Sequence, residues 1–587
     1  MTSVRAALEI ATRKVFATQC LDPALASVRA SDRPDLADYQ CNGALAAAKR
    51  AGRNPRELAD GLKAALEAEL PGVEVSVAGP GFLNLRLSPG RLTGALADMA
   101  ADRRLGLERA ERRRIIMDYG GPNIAKPMHV GHLRSSLIGE SLKRIAQALG
   151  HDVIADIHLG DWGRQMGMII FGVRERSPDL PYFDDGFKGP YPDQSPVTLS
   201  DLEDIYPRIS ARSEAEPTVL EEVRRITFEL QQGRPGYRAL WAHIDRISID
   251  EIKSDLSRLG VTFDQWFGES RYQDRLPGLI AELIKEGIAH ESEGAIIIDV
   301  ASNADKKEMP PVILRSSEGA ALYHTSDLAT LEERVKVFGA ELILYIVDNR
   351  QALHFEQLFR AAHKAGIGTG VGFEHLGFGT MNGPDRKPFK TRAGGVLKLK
   401  DLIETLLVEA RARLAESERL SELPAAETER VAELVGMATL KFADLQHDRK
   451  SDYVFDLAKF SRFEGKTGPY LLYSAVRIKS ILAKAAEQGL AGGALKIGDG
   501  PEERALAMVL LRYGDEVSSA FDARAPHILA DYVFELAQAF SQFYHAHHIL
   551  SEPDASRRAH QLAFAGLTLR VIEACLLLLG IEVPERM

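Results

Sequence analysis

Apolar and polar positions follow two different rhythms along this chain, and the changes of rhythm mark where its architecture should change. Pro55 to Leu70 repeats its apolar residues at helical spacing, whereas Val73 to Ala78 and Phe82 to Leu87, on either side of Pro80-Gly81, alternate as strands do. The first 100 residues therefore predict a small α+β domain. From Ile115 onward, short apolar runs are each followed by a longer helical period, the pattern of a parallel sheet covered by helices. Ile115 to Tyr119 predicts the first strand and His132 to Leu149 its helix. A polar, Pro- and Gly-rich stretch from Arg176 to Pro207 interrupts the alternation, contains little that would make a core, and reads as part of an insertion around residues 171–260. The alternation then resumes with Ala320 to His324 as a strand, Leu328 to Phe338 as a helix, Leu342 to Val347 as a strand and Ala352 to Ala365 as a helix. This second half completes a Rossmann-like sheet over residues 113–400. Beyond Lys400 strand signals cease, and amphipathic runs at Leu402 to Ala415, Tyr470 to Ala485 and Pro526 to His548 predict an all-α bundle over residues 401–587.

Composition adds limits rather than direction. The 587 residues, 45% hydrophobic and 27% charged, suit a multidomain α/β protein with ample cores. No run of about eighteen apolar residues suggests a membrane span, and Arg5 and Glu9 interrupt the amino terminus, so no membrane and a cytoplasmic location are expected. Cys20, Cys41 and Cys575 stand singly, which argues against disulfides and a thiolate zinc site. His545, His547 and His548 lack neighbouring acid or thiol ligands, and helical packing accounts for them; neither zinc nor another resident metal is expected. The net charge of -10 is silent about nucleic acid, because binding depends on local patches. One such patch, with Arg103, Arg104, Arg109 and Arg112 to Arg114, reads equally as a solvated helical linker or an RNA-facing surface.

The chemistry concentrates at the first strand-to-helix junction, Asp118-Tyr-Gly-Gly-Pro-Asn-Ile-Ala-Lys-Pro-Met-His-Val-Gly-His132-Leu-Arg-Ser. His129, Gly131 and His132 form HxGH: two imidazoles able to act on one phosphate, and a glycine without the Cβ that would block a nucleobase. The helix start adds oriented N–H groups for phosphate. Attack of a carboxylate on the α-phosphate of ATP builds negative charge on oxygen, which such donors stabilise, so the pattern predicts nucleotidyl transfer, although HxGH standing alone also reads as two helix-cap or zinc-spaced histidines. The whole string resembles the PNxAK and HVGHLRS signature of arginyl-tRNA synthetases, with HVGH as the class I HIGH motif, and His158-Leu-Gly-Asp-Trp-Gly-Arg-Gln-Met-Gly167 is similar to a second segment of that family. The resemblance runs from the amino-terminal GPGFLNLRL stretch to Pro-Glu-Arg-Met587.

That resemblance implies an enzyme that uses ATP, with Mg²⁺, to activate L-arginine and transfers it to the terminal ribose of tRNA(Arg). It implies that His129, Gly131, His132 and Lys126 handle the α-phosphate, and that Lys387 and Lys390, in a Lys-Pro-Phe-Lys variant of the KMSKS loop, tend the pyrophosphate. His354 reads either as a nucleotide contact or as a core histidine. A guanidinium needs a carboxylate to receive its planar donors. Tyr323 and Asp327, one helical turn apart, and Asp118 are implied as its readers, with Asn123 and Gln351 holding the substrate backbone.

At the chain ends the resemblance implies tRNA. The first domain is similar to one that touches the tRNA elbow, and Thr467 to Arg477 resembles a segment of an anticodon-binding bundle, with Tyr470, Tyr473 and Arg477 as candidates. Helical spacing equally permits both tyrosines to be packing residues. Most relatives are monomers, so a monomer is expected. Two rival readings remain at this level, a small-molecule nucleotidyltransferase and a non-catalytic RNA-binding relative; the helical third speaks against the first and the full set of His and Lys residues against the second.

Overall fold

A computed structural model describes residues 2–387, 397–415, 424–498 and 500–587. The chain forms two compact units: residues 111–409 with 443–459, and the remainder, in which the first 110 residues join 410–442 and 460–587.

The unit of residues 111–409 is built on five strands, β1 (Arg114–Tyr119), β2 (Asp152–Leu159), β3 (Gln265–Gly268), β4 (Leu342–Ile346) and β5 (Gly372–His375). They are all parallel, in the order β5-β4-β1-β2-β3. Central β1 and β4 are covered on both faces, which is why Ile115 to Met117 and Leu342 to Ile346 read as continuous apolar runs. The chain leaves β1 in one direction across the sheet and β4 in the other, so a crevice opens above their carboxyl ends, the place where such sheets bind ligands.

The helices that bear on the site are α1 (Val130–Leu149), α2 (Arg164–Arg176), α3 (Leu199–Ala215), α4 (Pro217–Gln231), α5 (Pro235–Arg258), α6 (Tyr323–Lys336) and α7 (Ala352–Lys364). Helix α1 ends at Gly150, whose φ of 97° lies in the left-handed region that glycine adopts without penalty. Between β3 and α6 lies a three-stranded antiparallel sheet of residues 290–292, 295–298 and 312–315. Its Ile296, Ile298, Val312 and Leu314 share a core with Leu328 and Leu331 of α6 and Leu358 of α7.

Several sequence expectations change here. Ala320 to His324 is not a strand: Ser316 N–H donates to Ala320 O, closing a turn, and α6 begins at Tyr323, five residues earlier than its periodicity predicts. Ser326 Oγ donates locally to Tyr323 O at 2.8 Å, and Thr325 Oγ1 ties the helix start to Leu314 O of the preceding strand at 2.6 Å. The stretch ending at Pro207 is partly helical, because Thr198 and Asp201 form a reciprocal cap and Leu202, Ile205 and Ile209 bury one stripe of α3. Its loop also contributes a buried side chain, Tyr182, stacked on Tyr191 at 5.4 Å. The arginine-rich joint after residue 102 is not helical, and Arg112 and Arg114 pair with Asp152. Beyond Lys400 a short strand does occur, Tyr453–Val454, parallel to Met381–Asn382.

In the other unit, helices Val4–Thr18, Gly43–Ala51 and Pro55–Glu69 accompany an antiparallel sheet of four strands, residues 28–30, 39–41, 82–87 and 73–78 in spatial order. This sheet is tied to the carboxyl-terminal helices. Arg504 Nη2 donates to Leu87 O at 2.9 Å and pairs with Asp38, and Arg570 Nη1 donates to Ala100 O at 2.6 Å. Helices Gly468–Glu487, Pro501–Leu511, Pro526–Ala546 and Ala555–Leu578 make up most of the bundle. The last is long and apolar enough to cross a bilayer, contrary to the expectation that no such stretch exists, yet most of its apolar window is buried among its neighbours.

Candidate active site

The loop from Gly120 to Met128 leaves β1 through two glycines at positive φ, 87° and 47°, and carries Ala125 at φ 60°, a conformation unusual for a side-chain-bearing residue. Hydrogen bonds hold this strained turn: Ala125 N–H donates to Ser248 Oγ at 3.0 Å, and Gln165 Nε2 donates to Ile124 O and Gly160 O. Asn123 bridges to Gly160, where an added Cβ would stand 2.0 Å from its Oδ1.

At the start of α1 the two histidines cap the helix. Gly131 N–H donates to His129 Nδ1 at 3.0 Å and His129 N–H to His132 Nδ1 at 3.2 Å. An imidazole nitrogen that accepts carries no proton, so these bonds fix both rings, while neutral, as Nε2–H tautomers. Burial, assisted by the charge of Lys126, lowers the pKa of both; His132 falls to about 3, with His129 contributing after burial and ahead of Lys126. Both are therefore neutral Nε2–H donors near pH 7. The rings stack at 3.9 Å, and a Cβ on Gly131 would stand 2.6 Å from His129 Cε1. The glycine thus makes room for the histidine ring, a nearer obstacle than the nucleobase expected from sequence.

The rest of the HLRS string closes the crevice. Ser135 Oγ accepts from Gly120 N–H at 2.8 Å and donates to Ile346 O at 2.5 Å, linking the ends of β1 and β4. Arg134, 2% exposed, donates to Gly379 O at 2.7 Å and Ser451 O at 3.0 Å and pairs with Asp444 at 2.9 Å. It anchors the segment that leads to Lys387, which is exposed and whose N–H donates to Asp385 Oδ1. Lys390 lies outside the described residues.

Across the crevice the site is acidic. Asp118, at the end of β1, already has a guanidinium: buried Arg334 donates to it at 2.7 Å and to Asp156 at 2.6 Å. Asp327, one turn into α6, accepts from His354 Nε2–H at 2.7 Å, and His354 stacks on His324 at 4.2 Å. This makes His354 a partner of the acid. Burial first, then His354, lowers His324 to about 4, and its Nε2 is buried without a hydrogen-bond partner. Tyr323 is 64% exposed, and Gln351, at the start of α7, is also exposed.

Glu269, immediately after β3, is a residue that sequence reasoning missed. Burial pushes its carboxyl up to about 7, with Asp327 and Asp161 raising it further against the opposing influence of His158. Its charge also raises Tyr323, after burial. His158 has both ring nitrogens buried without partners, and Asp161 accepts from Ser270 N–H at 2.9 Å. The available signal was an acid directly after a strand, in Phe267-Gly-Glu-Ser270, but β3 has only four half-buried residues and no clear alternation. Asp118 and Asp156 thus share the buried Arg334 guanidinium, while Asp161 and Asp327 act on Glu269, an accumulation of acid that favours a cationic ligand.

The candidate tRNA residues lie in the other unit. Tyr470 packs edge-on against Phe534 at 5.7 Å, while Tyr473 is 45% exposed and exposed Arg477 lies over the Tyr544 ring at 4.6 Å. Among the described residues no group of three or more His, Cys, Asp and Glu side chains is arranged to hold a metal ion.

Three family models match the chain: "Arginyl tRNA synthetase N terminal domain" over residues 2–87, "tRNA synthetases class I (R), catalytic domain" over 95–457 and "DALR anticodon binding domain" over 471–587. The chain is 46% identical to a protein of Hyphomonas neptunium and 48% identical to one of Maricaulis maris, both named arginine--tRNA ligase, over 100% of each chain. Its fold resembles that of Thermus thermophilus arginyl-tRNA synthetase, with a TM-score of 0.80, 24% identity and 100% of both chains covered.

Proposed function

The chain belongs to the class I arginyl-tRNA synthetases, and from that premise we propose how its residues divide the work of joining arginine to tRNA at the expense of ATP. The reaction has two steps: the arginine carboxylate attacks the α-phosphate of ATP, expelling pyrophosphate, and the terminal ribose of tRNA(Arg) then attacks the arginyl-adenylate, releasing AMP. His129 and His132 donate through Nε2–H to the non-bridging oxygens of the α-phosphate, supported by Lys126. Lys387 and Lys390 attend the pyrophosphate, and Mg²⁺ arrives with ATP. On the acidic side Asp327 and Glu269 receive the substrate guanidinium and Tyr323 lies along it. Asp118, held by Arg334, supplies negative charge beneath them, and Asn123 and Gln351 hold the amino-acid backbone.

The observation that carries this reading is the opposition of two halves around one crevice: neutral donors and a lysine at the start of α1, and acids at the ends of β1, β2 and β3, of which Asp118 and Asp156 share Arg334 while burial raises Glu269. Residues 1–100 and 401–587 hold the tRNA, at its elbow and anticodon, with Tyr473 and Arg477 better exposed for contact than Tyr470. The enzyme works in the cytoplasm as a monomer, a reading supported by resemblance to its family.

The test of the arginine half is Glu269→Gln in steady-state charging. A charge-assisted hydrogen bond to a guanidinium is lost, so the KM for arginine rises about ten- to a hundredfold while kcat and the KM for ATP stay near wild type. An unchanged KM for arginine would remove Glu269 from the site.

A further inference from the structure

The ammonium of Lys126 lies 4.1 Å from the centre of the Tyr206 ring. Tyr206 belongs to α3, in the insertion, and sits at the edge of the stripe formed by Leu202, Ile205 and Ile209 that seats this helix. Three residues earlier, on the same edge, Glu203 pairs with Lys398 at 2.9 Å. Lys398 in turn runs antiparallel beside His129: Val130 N–H donates to Leu397 O at 3.2 Å and Leu399 N–H to Met128 O at 2.9 Å. One helix edge therefore grips both strands of chain that flank the histidine cap. Between them opens a cavity of about 400 Å³, lined by Lys126, Ser200, Glu203, Asp204, Tyr206 and Lys398 among others.

We propose that Tyr206 is a positioning residue for the reaction, holding the Lys126 ammonium beside the histidine cap through its aromatic face. This rests on the reading of Lys126 as a phosphate-directed cation.

The type of partner is what makes the contact informative. Lys126 follows a strained loop and has four rotatable bonds, so something must restrain it if its charge is to act at one place. A carboxylate would restrain it by cancelling its charge. An aromatic face attracts a cation weakly and leaves the whole positive charge for an incoming phosphate. Glu203 and Asp204, acids on the same helix, line the same cavity, so the ring also offers the ammonium an alternative to them. The charge of Lys126 reaches the cap from its held position, since it depresses the basicity of both His129 and His132, after the larger effect of burial. Tyr206 is half-buried and lies on the rim of α3, so its replacement leaves the Leu202, Ile205 and Ile209 packing intact.

The experiment compares Tyr206→Phe, Tyr206→Leu, Tyr206→Glu, Lys126→Ala and the double variant Tyr206→Leu/Lys126→Ala in the full chain, by charging assays with ATP, arginine and tRNA and by thermal melting. Tyr206→Phe keeps the ring and should keep wild-type kcat. Tyr206→Leu should lower kcat about five- to tenfold with unchanged KM for arginine and unchanged Tm, and Tyr206→Glu should lower it further by neutralising the lysine. Because both residues serve one task, the double variant should be no slower than Lys126→Ala alone. If Lys126→Ala is slow but Tyr206→Leu is wild type, or if their effects multiply in the double variant, the positioning role is overturned while the role of Lys126 stands. If Lys126→Ala itself is wild type, the reading of Lys126 falls and the role of Tyr206 falls with it. A drop for Tyr206→Leu matched by Tyr206→Phe, or accompanied by a lowered Tm, also overturns the proposal.

Discussion

The two halves of the crevice are tuned in opposite senses by one physical cause. Around the histidine cap, burial removes a proton that imidazole would otherwise share, and His132 falls to about 3. At the far side, burial retains a proton that a carboxylate would otherwise release, and Glu269 rises to about 7. Both groups are driven toward neutrality because a low-dielectric site penalises charge of either sign. The consequences differ. A neutral imidazole with an occupied Nδ1 is a finished hydrogen-bond donor, ready for charge that develops only during reaction. A protonated Glu269 is unfinished, and becomes useful only when a cation arrives to compensate its ionised form. One half is therefore preorganised for a transition state and the other is completed by its ligand.

That contrast predicts effects of different size and kind. The largest belongs to the preorganised half: His132→Ala should lower kcat for arginine activation about 10²- to 10³-fold, the effect of removing one donor to a developing oxyanion, with the KM for arginine nearly unchanged. An equal rise in that KM would mean the halves are not separable.

The next belongs to the ligand-completed half and appears as pH dependence. Glu269 has its folded value raised to about 7, so below that pH arginine binding must expel a proton from it. The KM for arginine should then rise about tenfold for each unit of pH below 7 and level off above it. Glu269→Gln, which cannot ionise, should flatten this limb, as titration of charging rates between pH 5.5 and 8.5 would reveal; a wild-type slope surviving in the variant would assign the proton to another group.

The smallest tests the geometry of the cap alone. Gly131→Ala places a methyl group 2.6 Å from His129 Cε1, so the ring must rotate away from its bond with the Gly131 N–H position. A loss of about three- to tenfold in kcat is expected, with arginine binding untouched; a wild-type rate would show that the ring has room to spare.

The two halves also differ in how far they are legible without coordinates. The phosphate half comes from contiguous residues: helical geometry brings His129, Gly131 and His132 together whatever the rest of the chain does, and Ser135 and Arg134 follow within the next turn. Their types and spacing already point to nucleotidyl transfer. The arginine half draws on the ends of β1, β2 and β3 and the starts of α6 and α7, spread over more than 200 residues of chain, and no local spacing links Asp118 to Glu269, Asp327 or His354. Asp118 illustrates the difficulty. As an acid at the end of a strand it reads as a free receptor for a guanidinium, but the fold brings in Arg334 from 216 positions away. Tyr323 and Asp327 are spaced on a helical turn as their sequence suggests, yet the residues before them turn rather than form a strand, the turn closed by the bond from Ser316 N–H to Ala320 O.

The chain by itself determined what repeats over short range: the alternating and helical stretches that become a parallel sheet and a helical bundle, the capped start of α1, and a signature string long enough to indicate the family. Only the tertiary structure decided which charges meet. It joined the first 110 residues to the carboxyl-terminal helices, gave Asp118 its arginine, buried Glu269 among acids and laid Lys126 against Tyr206. The physical reason is that periodicity and capping act through neighbouring backbone atoms, whereas burial and charge act through space, on whatever the fold brings within a few ångströms.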